Sequence, residues 1–169
     1  MWWRLPRARW VRQKGTGNKK AFRQVVESGE EPGLQAYAES QPVGWCALGP
    51  RKEYPRLATS RLFKPVDQEP VWSVTCFFVA RSYRRQGLTV ALLKEAVCYA
   101  ARRGAKIVEG YPSEPKHGYP DVFYYPGLAS AFRKAGFDEV LRRSPSRPIM
   151  RYVIKSPVTA RHVHSVLPG

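Results

Sequence analysis

The stretch Val79-Ala80-Arg81-Ser82-Tyr83-Arg84-Arg85-Gln86-Gly87-Leu88-Thr89 joins an apolar run, 71–79, to a segment of helical periodicity, 90–103. A helix that begins directly after such a loop has unpaired N–H groups in its first turn, where its dipole is positive. Gly87 permits a tight turn, and Arg84 and Arg85 add charge and forked donors. The junction predicts a phosphate-binding site, although a plain connection with solvated arginines fits the same pattern.

The run Arg84-Arg85-Gln86-Gly87-Leu88-Thr89 resembles the Arg/Gln-x-x-Gly-x-Gly/Ala signature of the GNAT superfamily, the acetyl-CoA-dependent N-acetyltransferases. Thr89 departs from the signature, because that family usually has Gly or Ala there, but its hydroxyl can cap a helix or bond a phosphate. The run 131–137, which ends in Gly136-Phe137, resembles the late helix of the family and the start of its next strand. Together the two motifs cover roughly residues 42–153.

The resemblance implies that acetyl-CoA is the acyl donor and that it binds around the signature. Its pantetheine arm would pair with the strand before the loop, and the Val79 N–H would stabilise the oxyanion. The predicted donor-binding residues are Phe77, Phe78, Val79, Arg84, Arg85, Gln86, Gly87, Leu88 and Thr89. The alternative interpretation of 71–79 is a plain core strand.

The catalytic residues are predicted from the same resemblance. Glu109, near the end of the strand after the signature helix, is the candidate general base, with a salt-bridged structural group as the alternative. Many members of the family carry a tyrosine where this chain has Phe132, four residues before Gly136. The proton for the thiolate would then come from Tyr125, Tyr124 or water, or protonation of the thiolate is not assisted. Tyr125 is preferred because it falls where the family often has an Asn that touches the coenzyme, and aromatic packing is the alternative.

Length and composition indicate one soluble globular domain. The chain has 169 residues, of which 43% are hydrophobic and 25% are charged. No stretch approaches the roughly 18 apolar residues of a membrane span, and the basic N-terminus is not followed by a signal-peptide run. We expect a cytoplasmic protein with one acetyltransferase-like domain at 1–155 and a flexible tail at 156–169. Cys46, Cys76 and Cys98 lack CxxC spacing, so we expect reduced core cysteines and no metal site.

Periodicity and turn residues predict the order of the elements. Strands are expected at 2–5 (incomplete at its start), 34–38, 43–48, 71–79, 106–111, 137–142 and 149–154. Helices are expected from Asn18, as the cap, to Ser28, and at 88–101 and 127–134. The proline-rich segment 49–70 is predicted to be a loop, functional or mobile, with a helical turn near 55–61. The last strand looks exposed enough to pair with a second subunit.

Two parallel strands joined by a crossover helix are expected at 71–79 and 106–111. The resemblance implies the same architecture in more detail. The expected fold class is α/β, in the sense of mixed α+β, with a central, mostly antiparallel twisted sheet and helices on both faces. A splayed parallel strand pair would form the cleft for coenzyme A.

The net charge of +16 has several explanations. It fits an arginine-rich surface that is simply solvated, or a positive electrostatic field that favours acidic partners, including polyanionic coenzyme A. It also fits a nucleic-acid-binding module or an inactive GNAT-like protein, because Trp2, Trp3 and Trp10 lie among arginines. An acceptor on a basic protein is disfavoured by like-charge repulsion.

The leading hypothesis is direct transfer of acetyl from acetyl-CoA to a primary amine of a small-molecule or peptide acceptor. The acceptor is not readable from the loops 49–70 and 112–126. No membrane partner is expected, and the protein is expected to be a monomer or a homodimer.

Overall fold

The computed structural model describes residues 2–155, in which six strands form one mixed sheet with helices on both faces. The helices are α1 Arg7–Arg12, α2 Thr16–Glu27, α3 Pro55–Thr59, α4 Leu88–Arg102 and α5 Ala129–Lys134. The strands are β1 Gly33–Ala38, β2 Gln41–Pro50, β3 Trp72–Val79, β4 Ile107–Gly110, β5 Asp138–Arg142 and β6 Pro148–Val153. Their order is β1-β2-β3-β4-β6-β5, and only β3 and β4 are parallel neighbours. The expected fold class is confirmed.

One face of the sheet packs against α4 and α5. Side chains of β2 and β3 that alternate toward this face meet one side of α4, as strand and helix periodicities require. The buried cluster includes Cys46, Leu48, Val74, Phe77, Leu92, Leu93, Ala96, Val97, Phe132 and Phe137. None of the helices within residues 2–155 has the length and apolar character that crossing a membrane requires.

The segment 49–70 lies on the opposite face and is anchored there. Three of its side chains, Tyr54, Leu57 and Phe63, form a second buried cluster. The other members are Tyr111, which follows β4, and Ile149 of β6. Arg143 donates to three carbonyl oxygens of the segment, those of Leu62 (3.1 Å), Lys64 (2.7 Å) and Pro65 (3.1 Å). Arg51 donates to the carbonyls of Leu57 and Phe63. The segment is irregular, as predicted, but its backbone is held by arginines.

The parallel strands β3 and β4 diverge after a short pairing. They pair only from Trp72 with Val108 to Val74 with Gly110. The next residue of β3, Thr75, has no partner on β2, because Cys76 pairs with Ala47 and Val74 pairs with Leu48. An extra residue of this kind is a β-bulge, which bends its strand. The bulge therefore accompanies the splay that the resemblance implies.

Two predictions near the N-terminus are wrong. Residues 2–5 form turns and a bend, not a strand, and α1 follows directly after Pro6. Trp2 and Trp3 make edge-to-face contacts with other aromatic rings instead of pairing in a sheet. Asn18 does not cap α2, whose N-cap is Gly15. Its amide nitrogen instead donates to the Trp10 carbonyl at 3.0 Å and joins α2 to the end of α1.

The last strand is not an exposed edge. β6 pairs with β4 on one side and with β5 on the other, so both of its backbone edges are hydrogen-bonded. Its first residues are buried, which explains their apolar character. The tail predicted at 156–169 lies outside the described residues.

Gly110 ends the paired part of β4, and the Phe132 ring lies over it. A Cβ atom at Gly110 would overlap that ring. We expect Gly110→Ala to lower the free energy of unfolding by about 1–3 kcal/mol, because overpacking forces the ring or strand to move. Urea titration measures the change. Gly17→Ala is the control: in the first turn of α2 its Cβ would meet only the Gln13 side chain, whose Cβ lies at 3.1 Å, which a shift of a few tenths of an ångström relieves, so any loss of stability should be clearly smaller. Equal effects of the two variants would contradict the packing role of Gly110.

Candidate active site

Residues 125–128 lie in the gap between the diverging strands. The Phe77 N–H donates to the Tyr125 carbonyl at 2.6 Å. On the other side, the Ser113 N–H donates to the Gly127 carbonyl at 2.9 Å, and Leu128 forms a parallel bridge with Ser113. We call this gap the splay. Residues 125–128 therefore keep the two strands apart and fill part of the splay.

The alternation of β3 decides which backbone groups face the splay. The Ala80 N–H donates to the Val43 carbonyl at 2.9 Å, toward β2. Because backbone groups alternate between the two edges of a strand, Phe78 also faces β2, whereas Phe77 and Val79 face the splay. The Phe77 N–H is already bonded to the Tyr125 carbonyl, so only the Phe77 carbonyl could pair with a donor there. The Val79 N–H and the Phe77 carbonyl are the groups left facing the splay.

The loop after β3 presents a row of free N–H groups. Within residues 2–155, the backbone N–H groups of Arg85, Gln86, Gly87, Leu88 and Thr89 have no protein acceptor. Arg85 and Gly87 have left-handed backbone conformations, with φ of 62° and 79°. Successive N–H groups that converge in such a turn form an anion-binding nest, and here the nest coincides with the start of the 15-residue α4.

The side chains of the loop have different tasks. Arg84 Nε donates to the Val79 carbonyl at 3.2 Å, and Gln86 Nε2 donates to the Ser82 carbonyl at 2.8 Å. Both side chains brace the loop. Arg85 is exposed, and in the part of the chain that the structure describes it has no ion-pair partner. Thr89 lies in the first turn of α4, and its hydroxyl makes no capping bond to the helix.

Glu109 lies in a buried ion network. It is 1% exposed, and its Oε1 accepts hydrogen bonds from Arg51 (3.0 Å) and from the Tyr111 hydroxyl (2.6 Å). Its Oε2 accepts from Arg151 Nε at 2.7 Å, and Arg151 in turn binds Asp67. Both carboxylate oxygens are therefore engaged. The role of Glu109 as general base stays a prediction. Its hydrogen bonds and ion pairs are those expected of the alternative, a salt-bridged structural group.

The two candidate tyrosines have unlike surroundings. The Tyr124 hydroxyl accepts from the Lys116 N–H at 2.8 Å and donates to the Lys116 carbonyl at 3.2 Å, so it is tied to its own loop. Tyr125 is half-buried beside the splay, and burial is the main cause that raises the pKa of its hydroxyl. Phe132, at the position of the usual tyrosine, is fully buried against Phe77.

A cavity of about 660 Å³ opens beside Tyr125, on the face that carries α1 and α2. We name it the aromatic cavity. Its sheet side consists of Trp45, Ala47, Thr75 and Cys76, and its other sides include Trp2, Trp3, Trp10, Phe22, Tyr54, Phe123 and Tyr125. A volume in this range is typical of small-molecule sites.

Sequence reasoning missed the aromatic cavity and the partners of Glu109. Trp2, Trp3 and Trp10 were visible as an unusual group, but their spacing does not show that they line the same cavity as Trp45. Arg51 and Arg151 lie 58 and 42 residues from Glu109, and no local pattern links them to it.

Comparison with known proteins completes the description. The family model described as acetyltransferase (GNAT) family matches residues 1–115. No curated protein sequence matches the chain.

Several solved structures share the fold. The chain is similar to a Desulfovibrio desulfuricans protein assigned to the GNAT family, with 17% identity, coverage of 86% of this chain and 88% of that chain, and a TM-score of 0.52. It is also similar to the PaiA N-acetyltransferase of Thermoplasma acidophilum in complex with coenzyme A, with 19% identity, coverage of 87% and 77%, and a TM-score of 0.51. At such identities these structures support the fold alone. The family model, however, matches more than half of the sequence, and the chain belongs to the GNAT acetyltransferase family.

Proposed function

We propose that this protein transfers an acetyl group from acetyl-CoA directly to a primary amine of a small-molecule or peptide acceptor. The observation that carries the proposal is the row of five unpaired N–H groups at 85–89, beside the point where β3 and β4 diverge. Membership of the GNAT family supports it. So does the fold shared with PaiA, an N-acetyltransferase whose structure contains coenzyme A.

The residues present fit a nucleotide thioester. The N–H groups of 85–89 would hold its diphosphate, and the exposed Arg85 guanidinium would add a charge-assisted contact. The Phe77 carbonyl and the Val79 N–H, which face the splay, would pair with the amides of the pantetheine arm. The backbone groups of Phe78 face β2, so Phe78 would contribute to donor binding only by keeping β3 paired with β2.

Acetyl-CoA supplies an activated acyl group. In the overall reaction the amine nitrogen forms a bond to the acetyl carbon, the carbon–sulfur bond breaks, and one proton passes in net terms from nitrogen to sulfur. The Val79 N–H would donate to the acyl oxygen as negative charge develops on it. The strand holds this donor in place before the reaction, so no reorganisation is needed at that step.

We assign the proton for the departing sulfur to Tyr125. Because burial raises the pKa of its hydroxyl, Tyr125 keeps its proton at neutral pH and can act as an acid. The nearby Cys76 also stays protonated, because burial raises the pKa of its thiol. A neutral thiol is a poor nucleophile, which supports direct transfer without an acetylated cysteine.

We assign Glu109 a structural role that links three segments: Arg51 after β2, β4 itself, and Arg151 of β6. The amine would then lose its proton to water. A nucleic-acid partner, a cytoplasmic location and the oligomeric state stay predictions from the sequence.

Gly87→Glu tests the phosphate site. The new carboxylate would lie among the free N–H groups and repel a diphosphate, so we expect acetyl-CoA to bind at least about tenfold more weakly in calorimetry. Gly104→Glu is a matched control at the other end of α4. Both glycines have positive φ, 79° and 78°, and open space around a Cβ atom, so the backbone strain is similar. Equal acetyl-CoA affinity in the two variants would refute the site.

Tyr125→Phe tests the acid. We expect kcat to fall by about 100-fold while acetyl-CoA affinity is retained, because general acid catalysis typically contributes this much. With its raised pKa, Tyr125 should lose its proton only above the ordinary tyrosine range, and the wild-type rate should decline there. That decline should be missing from the pH–rate profile of Tyr125→Phe. Tyr124→Phe, whose hydroxyl bonds only its own loop, should behave as wild type; matching losses in both variants would contradict the assignment.

Glu109→Gln tests the structural role. Replacing the carboxylate removes the only carboxylate that Arg51 contacts among the described residues and leaves Arg151 with Asp67 alone, so we expect the free energy of unfolding to fall by about 3 kcal/mol in urea titration. Glu95→Gln, on the exposed side of α4, should change stability by less than about 0.5 kcal/mol. The pH–rate profile of folded Glu109→Gln should keep its shape. Unchanged stability together with a lost alkaline rise would show instead that Glu109 is the base.

A further inference from the structure

The aromatic cavity is not needed to hold the acyl donor, and its composition constrains what it can accept. Three pairs of its rings already meet edge to face: Trp2 with Trp10 at 4.7 Å between centroids, Trp2 with Trp3 at 6.4 Å, and Phe22 with Trp45 at 5.8 Å. Such edges and faces offer a large apolar contact area to another ring. The volume of about 660 Å³ is far larger than the roughly 150 Å³ that accommodates benzene.

The lining has no counter-charge for an ammonium group. Of the described residues that line the cavity, none is Asp or Glu. The one charged lining residue is Arg4, which pairs with Glu53 at 2.7 Å and donates to the Tyr54 hydroxyl at 3.3 Å. A buried ammonium without a carboxylate partner is strongly unfavourable. Polyamines and other multiply charged acceptors are therefore disfavoured.

Protein cations already occupy several of the aromatic faces. Arg56 Cζ lies 3.5 Å from the centroid of the Trp2 ring, and Lys14 Nζ lies 5.6 Å from that of Trp10. Arg4 Cζ lies 4.7 Å from the Tyr54 centroid. A cationic ligand would meet like charge at these rings rather than a free cation–π site.

The cavity borders the gap between β3 and β4 at Tyr125. Tyr125 is a lining residue of the cavity, and its carbonyl accepts the Phe77 N–H in that gap. Cys76, also a lining residue, immediately precedes Phe77. A ligand in the cavity would have to extend past Cys76 and Tyr125 to bring its amine to the Val79 N–H, which faces the gap but does not line the cavity.

We propose that the acceptor is an arylalkyl primary amine, with its ring in the aromatic cavity and its single amino group beside Tyr125. This inference rests on the proposed acetyl transfer. The same surroundings favour the neutral amine, because burial without a carboxylate disfavours the protonated form. The cavity would then deliver a deprotonated nucleophile without a dedicated base, which agrees with the engaged carboxylate of Glu109.

Initial rates at saturating acetyl-CoA, followed by release of free thiol, test the acceptor class. The probes are 2-phenylethylamine, ethylamine, spermidine and kanamycin. We expect kcat/KM for 2-phenylethylamine to exceed that for ethylamine by at least about tenfold, because the site binds the ring. It should also exceed the values for both polycations. Equal rates with ethylamine, or higher rates with a polycation, would overturn the inference.

Phe123→Glu and Val122→Glu form a matched pair of variants. Phe123 lines the cavity, whereas its neighbour Val122 is 73% exposed and does not. Phe123→Glu brings a carboxylate to the cavity and should lower kcat/KM for 2-phenylethylamine by at least about tenfold while improving that for spermidine. Val122→Glu adds the same charge outside the cavity and should change neither. If both variants behave alike, the cavity does not select the acceptor.

Tryptophan fluorescence gives a readout that does not depend on turnover. Four of the five tryptophans line the cavity, so 2-phenylethylamine should change the emission of the wild type and of Val122→Glu, but not of Phe123→Glu. An emission that does not respond would overturn the inference. Acetyl-CoA binding with preferred acetylation of other amines would overturn it and leave the proposed function intact. A fluorescence response without acetyl-CoA binding would instead support the cavity and refute the proposed function.

The pH dependence of this binding distinguishes the neutral amine from its cation. Arg4 is the charged lining group, Glu53, Arg56 and Lys14 surround the rings, and burial raises the pKa of Tyr54, Cys76 and Tyr125. The charge of the cavity therefore changes little between about pH 7 and about pH 9. The apparent affinity for 2-phenylethylamine should rise across this interval as more of the amine becomes neutral. A constant or falling affinity would contradict binding of the neutral form.

Discussion

The divergence of β3 from β4 is the constraint on which the rest of the site depends. Two local features accompany it: the bulge at Thr75, which bends β3, and Gly110, which leaves room for the Phe132 ring over β4. Once the strands separate, the free edge of β3 presents Phe77 and Val79 to a gap instead of to a neighbouring strand. The same bend places Thr75 and Cys76 along the aromatic cavity. One departure from regular pairing thus exposes backbone groups at the proposed donor site and forms one side of the cavity proposed for the acceptor.

Charge is distributed between these two places in a way that matches their proposed tasks. Free N–H groups, the start of α4 and the exposed Arg85 concentrate positive potential at the loop, where a polyanion would bind. Among the described residues that line the aromatic cavity there is no carboxylate, and arginine or lysine side chains lie against several of its rings. A protein with a net charge of +16 would therefore attract the proposed donor and disfavour a cationic acceptor. The high charge, which from composition alone also fitted a nucleic-acid-binding protein, has a use in acetyl transfer.

The buried network around Glu109 explains how an irregular segment can form a wall of the molecule. A buried carboxylate is tolerated when its oxygens are fully hydrogen-bonded, and here two arginines and a tyrosine satisfy them. Those arginines also hold the segment 49–70, directly through its carbonyls or through Asp67. The arrangement keeps Tyr54 in place between the second hydrophobic cluster and the aromatic cavity. Rigidity in this region would preserve the shape of the cavity without any regular secondary structure.

The sequence by itself determined the elements and the loop, because these depend on neighbouring residues. Apolar runs, helical spacing and Gly87 placed β3, α4 and the free N–H groups within a few residues of their observed positions, and the Gly136-Phe137 motif located α5 and the next strand. Only the tertiary structure decided which residues meet across long separations. Distant parts of the chain are joined by the partners of Glu109, by the bond between Phe77 and Tyr125, and by the cavity that Trp2, Trp3 and Trp10 line together with Trp45. The inner position of β6 and the loss of the expected first strand have the same origin. Which strands pair depends on the burial of their side chains and on which strand edges are available for hydrogen bonding. A local sequence pattern contains neither piece of information.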